Sequence, residues 1–203
     1  LNGRIAWNIP GDVYILVRQG YIYDMEAITF LTGSQEKFAE AQAVLPDLIR
    51  WHMDLPEIQD IDPRNIIQAK LAEASRHMSG AIVVEDTSLA FDALNGLPGP
   101  LIKWFLQRLG VEGLAHLPRV LGNDKASART VVGYRSAAGV EAFFEAVIPG
   151  RIVSPQGAAG FGWDALFLPD GQDKTFAQMS AQEKNAISMR RLAFEQLKDF
   201  LYT

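Results

Sequence analysis

Cysteine is absent from this 203-residue chain. That excludes disulfides, thiolate zinc sites and cysteine nucleophiles, and it fits a reducing, cytoplasmic setting. Histidine is scarce: the three residues His52, His77 and His116 are too scattered for a paired-histidine metal site. Any bound metal is therefore expected on carboxylates, which favours a hard ion such as Mg²⁺. A surplus of positive charge is missing too. The formal net charge is −5, which argues against direct nucleic-acid binding, because that depends on many cations meeting phosphates. A small polyanion held by a local group of lysines stays open. No apolar run approaches the roughly 20 residues that span a bilayer. The early run at residues 13–17 is also shorter than a signal-peptide core of about 7–15 residues. No membrane partner is expected, and no internal repeat or low-complexity linker divides the chain.

What is present suffices for a core. Hydrophobic residues make up 48% and charged ones 21%, which suits one domain, or two lobes sharing one core. The first 24 residues show no sustained helical or strand periodicity, and Met25 stands just before the first convincing strand. Residues 1–24 are therefore expected to be an extension upstream of a domain at 25–203, with an arm packed on that domain as the alternative. A buried strand is expected at residues 27–31, then the turn Thr32-Gly33-Ser34, a helix at 35–44 and a strand at 48–53. Ile66, Ile67, Lys70, Leu71 and Ala74 repeat at helical spacing through Ser75. Gly80 breaks that helix, and an apolar strand at 81–84 ends at Glu85-Asp86. A rigid loop at 96–100 leads into the segment 102–109. Strands at 129–136 and 140–148 are joined by Ala137-Ala138-Gly139 as a hairpin. A Gly- and Pro-rich stretch at 154–162 precedes a strand at 165–168. One C-terminal helix starts at Ser180, whose hydroxyl forms a capping box with Glu183. Alternating strand and helix in the first half implies α/β organisation with partly parallel pairing.

Each polar cluster admits two local readings. Thr32-Gly33-Ser34-Gln35-Glu36-Lys37 stands between strand and helix, where free N–H groups can bind phosphate, but the P-loop spacing is absent. It reads equally as a capped turn with a solvated lysine. Glu85-Asp86 closes an apolar strand, a common place for ligand-binding carboxylates in α/β sheets, or simply terminates it. Glu57 reads as a loop carboxylate. In Phe161-Gly162-Trp163-Asp164, two rings flank a glycine, so a flat ligand can meet ring and backbone together; two core aromatics are the alternative. Lys184 and Arg190, six residues apart on the expected last helix, are not strict same-face neighbours.

Taken in order, the clusters resemble the inosine triphosphate pyrophosphatase family. The resemblance runs from Ile28 to Leu201. It is densest at Glu85-Asp86-Thr87-Ser88-Leu89, Gly96-Leu97-Pro98-Gly99-Pro100 and Lys103-Trp104-Phe105, and returns at 160–167 and 183–190. It implies a two-lobed α/β fold with a long, twisted mixed sheet flanked by helices, a nucleotide cleft between the lobes, and a homodimer. It also implies hydrolysis of inosine, deoxyinosine and xanthosine triphosphates to the monophosphate and pyrophosphate. A pyrophosphatase of broader specificity, or an inactive nucleotide-binding regulator, is the alternative. By the family pattern, Thr32, Ser34 and Lys37 bind the triphosphate, and Lys70, Lys103 and Lys184 surround its phosphates. Glu57 and Asp86 match the acids for Mg²⁺, with Asp86 also activating water; Glu85 stands beside them, and Lys37 and Glu85 complete the catalytic group. Phe161 matches the ring that stacks on the purine, with Trp163 and Asp164 in the same segment, and Arg190 matches the arginine that reads the 6-oxo group. Two positions depart from the pattern: Ser34 replaces a common asparagine, and Met189 a common histidine.

Overall fold

The computed structural model describes residues 13–18 and 21–203. Two strands precede the first expected one. Strand β1 (Val13–Arg18) pairs antiparallel with β2 (Tyr21–Glu26) in a sheet of their own. The sequence shows no sustained strand periodicity there, and β2 runs across the expected 24/25 boundary. The ladder is a relation between two segments, which periodicity inside either one does not display. Residues 1–12 and 19–20 of that stretch lie outside the described residues.

The remaining chain runs β3 (Ile28–Leu31), α1 (Gln35–Gln42), β4 (Ile49–Trp51), α2 (Pro63–His77), β5 (Ala81–Phe91), β6 (Pro98–Gly99) and α3 (Ile102–Leu121). It continues with β7 (Lys125–Arg135), β8 (Glu141–Ile152), β9 (Phe167–Pro169), α4 (Ala181–Ile187) and α5 (Met189–Tyr202). A seven-stranded sheet is ordered β4-β3-β5-β7-β8-β9, with β6 paired to β5. Strand β3 is parallel to β4 and β5, and the other pairs are antiparallel. The expected α/β class, with an open mixed sheet flanked by helices, is borne out.

Period-two alternation sorts the core. Leu31, Ile82, Val84 and Val131 face α2, where Ile67, Leu71 and Ala74 meet them. Phe30, Val83 and Val132 point to the other face, onto Phe38 of α1 and Ala193, Phe194 and Leu197 of α5. Gly133 lets α2 lie close: a Cβ there would stand 2.3 Å from Cγ2 of Ile67.

Beyond shifts of a few residues at strand ends, three places depart from expectation. Strand β5 does not end at residue 84 but continues to Phe91, because its ladder with β7 runs unbroken from Ile82↔Arg135 to Phe91↔Ala126. Glu85 and Asp86 therefore stand in mid-strand. Helix α3 extends past residue 109, kinked at Gly110, which takes the left-handed φ of 67°. The C-terminal helix is two helices. Ser188 is extended at φ −67°, ψ 142°, and its hydroxyl accepts from the Arg191 N–H at 3.1 Å. A serine that caps a new helix competes with continuing the old one.

Candidate functional site

The turn after β3 is built locally. Its Thr32 N–H donates to the Trp51 carbonyl at 3.2 Å, which ties the turn to β4. The Ser34 N–H donates to Thr32 Oγ1 at 3.1 Å, and Ser34 Oγ caps α1 by accepting from the Lys37 N–H at 3.1 Å. A Cβ at Gly33 would lie 2.3 Å from Oδ1 of Asp54, an exposed side chain that would have to swing aside. One helical turn on, the Lys37 ammonium bonds the Glu85 carboxylate.

Behind this turn lies a cleft of about 660 Å³, bordered by Thr32, Ser34, Lys37, Glu57, Lys70, Glu85, Asp86 and Lys103. Buried Lys70 organises its floor. Its Nζ lies 2.7 Å from Oε1 of Glu57, 3.5 Å from Oδ1 of Asp86 and 3.0 Å from the Glu85 carbonyl. Burial alone would lower the Lys70 pKa, but Asp86 and Glu57 outweigh it and raise it. Two adjacent carboxyls are pushed apart. Burial acts to raise both, yet Lys37 and Arg190 hold Glu85 well below the ordinary carboxylate range. For Asp86, burial prevails with help from Glu85, against partial compensation by Lys70, and the carboxyl is raised. Oδ2 of Asp86 is buried with no hydrogen-bond partner among the described residues. A carboxyl of raised basicity with one unpartnered oxygen, on the border of a cleft lined by both lysines and carboxylates, can take a proton from water or ligate a hard ion.

A second, more apolar cavity of about 240 Å³ adjoins the first, with Lys37 and Lys103 on the border of both. It holds Phe161, Trp163, Asp164, Lys184, Met189 and Arg190. The Phe161 ring is half-buried, with Nζ of Lys184 4.6 Å and the Arg190 guanidinium carbon 5.8 Å from its centroid. Asp164 fixes this segment: its Oδ2 accepts from the Phe161 N–H at 2.9 Å and from Lys184 at 2.7 Å. Trp163 packs against Phe167 and Phe176, so most of its ring belongs to the core. Arg190 is buried, with Nε 3.3 Å from Oε2 of Glu85 and Nη2 donating to Thr87 Oγ1 at 3.0 Å.

All the side chains singled out in the sequence thus border one of two contiguous cavities. Lys184 falls on the aromatic side, not among the cleft lysines. The break at Ser188 allows Lys184 and Arg190 to converge despite their spacing, and one carboxylate, Glu40, pairs with both. Glu40 escaped the sequence reading although it lies three residues after Lys37 on α1, a same-face spacing that was available as a signal. Asp54 and Gln59, which also border the cleft, carry no such local signal, whereas Thr87 lies two residues from Glu85 on one strand and bonds it at 2.8 Å.

Known proteins share this fold and much of this sequence. The profile of the Ham1 family matches residues 28–200. An inosine triphosphate pyrophosphatase of Schizosaccharomyces pombe is 38% identical over 181 residues, covering 87% of this chain and 96% of that protein. The dITP/XTP pyrophosphatase of Mycobacterium abscessus superposes with a TM-score of 0.65 at 26% identity, over 87% of this chain and 99% of the other. A HAM1 protein of Coxiella burnetii shares the fold, with a TM-score of 0.72 at 24% identity over 88% and 99% of the two chains. The resemblance read from the motifs is therefore borne out, and this chain belongs to the Ham1 family.

Proposed function

We propose that this protein hydrolyses inosine, deoxyinosine and xanthosine triphosphates to the monophosphate and pyrophosphate, clearing abnormal purines from the nucleotide pool. The observation that carries the reading is the continuity of the two cavities. A cleft lined by lysines and carboxylates suits a polyanionic triphosphate, the aromatic pocket suits a purine, and Lys37 and Lys103 border both. The reading agrees with the activities by which the S. pombe and M. abscessus relatives are named.

In the proposed reaction a water oxygen attacks the α-phosphorus while the Asp86 carboxylate takes its proton. The bond from that phosphorus to the bridging oxygen breaks, and pyrophosphate departs. Lys37, Lys70 and Lys103 offset phosphate charge, Thr32 and Ser34 orient the phosphates, and Glu85 holds Lys37 and Arg190 in place. Phe161 stacks on the base, Arg190 reads its 6-oxo oxygen, and Lys184 with Asp164 supports the ring. Glu57 and Asp86 would hold Mg²⁺. They fit it as hard oxygen donors on one cleft, one of them carrying the unpartnered Oδ2. Among the described residues no group of three or more such side chains gathers, and Mg²⁺ is commonly held by one or two carboxylates together with substrate phosphates. When bound, the ion supplies further neutralisation of phosphate charge.

The presence of Met189 in the aromatic pocket favours a second reading, a pyrophosphatase of wider base tolerance. A binding regulator has no use for an unpartnered buried carboxylate oxygen, which speaks against that alternative. We further propose residues 25–203 as the catalytic unit, a homodimer in solution, and a cytoplasmic setting without nucleic-acid partners. Among the described residues, no helix is long and apolar enough to cross a membrane. The decisive experiment incubates inosine, xanthosine and adenosine triphosphates with and without Mg²⁺ and identifies every product. Monophosphate and pyrophosphate, formed only with the ion, are expected. Diphosphate with orthophosphate would overturn the cleavage site, and tight binding without any product would favour the regulator.

A further inference from the structure

The turn after β3 is gripped from outside the cleft. Arg50, on β4 opposite Phe30 of β3, reaches past the end of β3. Its Nη2 donates to the Gly33 carbonyl at 2.8 Å and its Nε to the Thr32 carbonyl at 3.3 Å. Nη1 donates to the side chain of Gln35, the first residue of α1. Arg50 itself does not border the cleft.

We propose that Arg50 is a positioning residue for polyphosphate binding: its guanidinium holds the Thr32 and Gly33 carbonyls outward and so aims the turn's N–H groups at the ligand. In a planar trans peptide the C=O and N–H point in opposite directions. The Thr32 carbonyl shares its plane with the Gly33 N–H, and the Gly33 carbonyl shares its plane with the Ser34 N–H. Fixing the carbonyls therefore fixes both N–H vectors. The Ser34 N–H is satisfied inside the turn by Thr32 Oγ1, whereas the Gly33 N–H has no protein partner among the described residues.

Such a clamp has a physical purpose here. Glycine has the largest conformational freedom to lose, and Gly33 has no side chain of its own to pack and steady the turn. Restraint must then come from a neighbour, and a turn already held in its binding geometry loses less entropy when it meets an anion. A planar fork can meet two successive carbonyls and a third acceptor together, which a lysine's single ammonium cannot match in geometry.

The proposal rests on the reading of this turn as the triphosphate site, so its test is chosen to separate the two. Inorganic tripolyphosphate binding is measured by calorimetry for wild type, Arg50→Ala and Arg50→Lys, well below their melting temperatures. Amide hydrogen exchange at Gly33 and Ser34 is followed in the unliganded proteins. Both variants should bind tripolyphosphate about tenfold or more weakly, as expected for loss of charge-assisted hydrogen bonds. They should exchange faster at Gly33 and Ser34, with the β5 amides unchanged, and turn over inosine triphosphate with raised KM and nearly unaltered kcat. Wild-type affinity in Arg50→Lys would show that charge alone suffices and overturn the clamp, as would unchanged exchange in the turn. If wild type fails to bind tripolyphosphate, the phosphate reading falls and the proposal with it.

Discussion

Nε of Arg190 and Oε2 of Glu85 lie 3.3 Å apart, with side-chain exposures of 1% and 2%. The same carboxylate bonds Lys37, which borders both cavities, so one buried charge links the charged cleft to the aromatic pocket. Glu85→Gln should destabilise the protein by about 3–5 kcal/mol, the usual effect of breaking a buried pair, lessened by the Glu40 contact that Arg190 retains. Urea unfolding at neutral pH measures this, and a loss below about 1 kcal/mol, the scale of a surface pair, would contradict it. The pH dependence has a definite sign. A depressed folded-state pKa contributes stability that is complete above the unfolded value of roughly 4.3 and is lost as pH falls from there through the folded value. The variant's stability should vary less across that acid range.

Asp86 should behave in the opposite way. Its ionised form is disfavoured by burial, so Asp86→Asn should melt higher than wild type at neutral pH without added metal. The gap is largest above the raised folded pKa and shrinks as pH falls toward the unfolded value of about 3.9. Turnover should drop by at least about 10²-fold, the lower range for a general base. Near-normal turnover would remove Asp86 from the reaction.

Solvent isotope reports which phosphorus is attacked. Turnover of inosine triphosphate in ¹⁸O-water should place the label in the monophosphate and leave the pyrophosphate unlabelled, as attack at the α-phosphorus requires. Mass spectrometry of both products decides. Label in the pyrophosphate would mean attack at the β-phosphorus instead.

Met189 is buried beside Arg190 and borders the aromatic pocket. The methionine side chain carries no N–H, so it does not reward a 6-oxo acceptor over the amino group of adenine. Met189→His should sharpen the preference for inosine over adenosine triphosphate, judged by kcat/KM. The gain expected from one added hydrogen bond is about 2- to 150-fold. An unchanged ratio in an active, folded variant would show that Met189 does not set selectivity.

Deletion of residues 1–24 should leave turnover and melting temperature nearly unaltered. The family match begins at residue 28, and among the described residues β1 and β2 form a two-stranded sheet apart from the main one. A large loss of either property would make the segment an integral arm.

Local chemistry was legible in the sequence because its partners lie within one helical turn of each other. Ser34 caps α1 through the Lys37 N–H, Ser180 and Glu183 close their capping box, and apolar spacing located α2. The motif order was enough to reveal the family. Other features needed the assembled chain. Strand β5 carries Glu85 and Asp86 in its middle because β7 supplies a continuous ladder, whatever the charge of the side chains. Lys184 on α4 pairs with Asp164 and Glu40, and the new helix that Ser188 starts brings Arg190 to the same Glu40. Arg190 found Glu85 across 105 residues and Glu40 across 150. Arg50 reached the turn only because β4 lies parallel to β3. Sequence specifies which groups can bond to their near neighbours. Which cation meets which carboxylate is decided by sheet register and by burial, since a charge removed from water must take whichever partner the fold brings within reach.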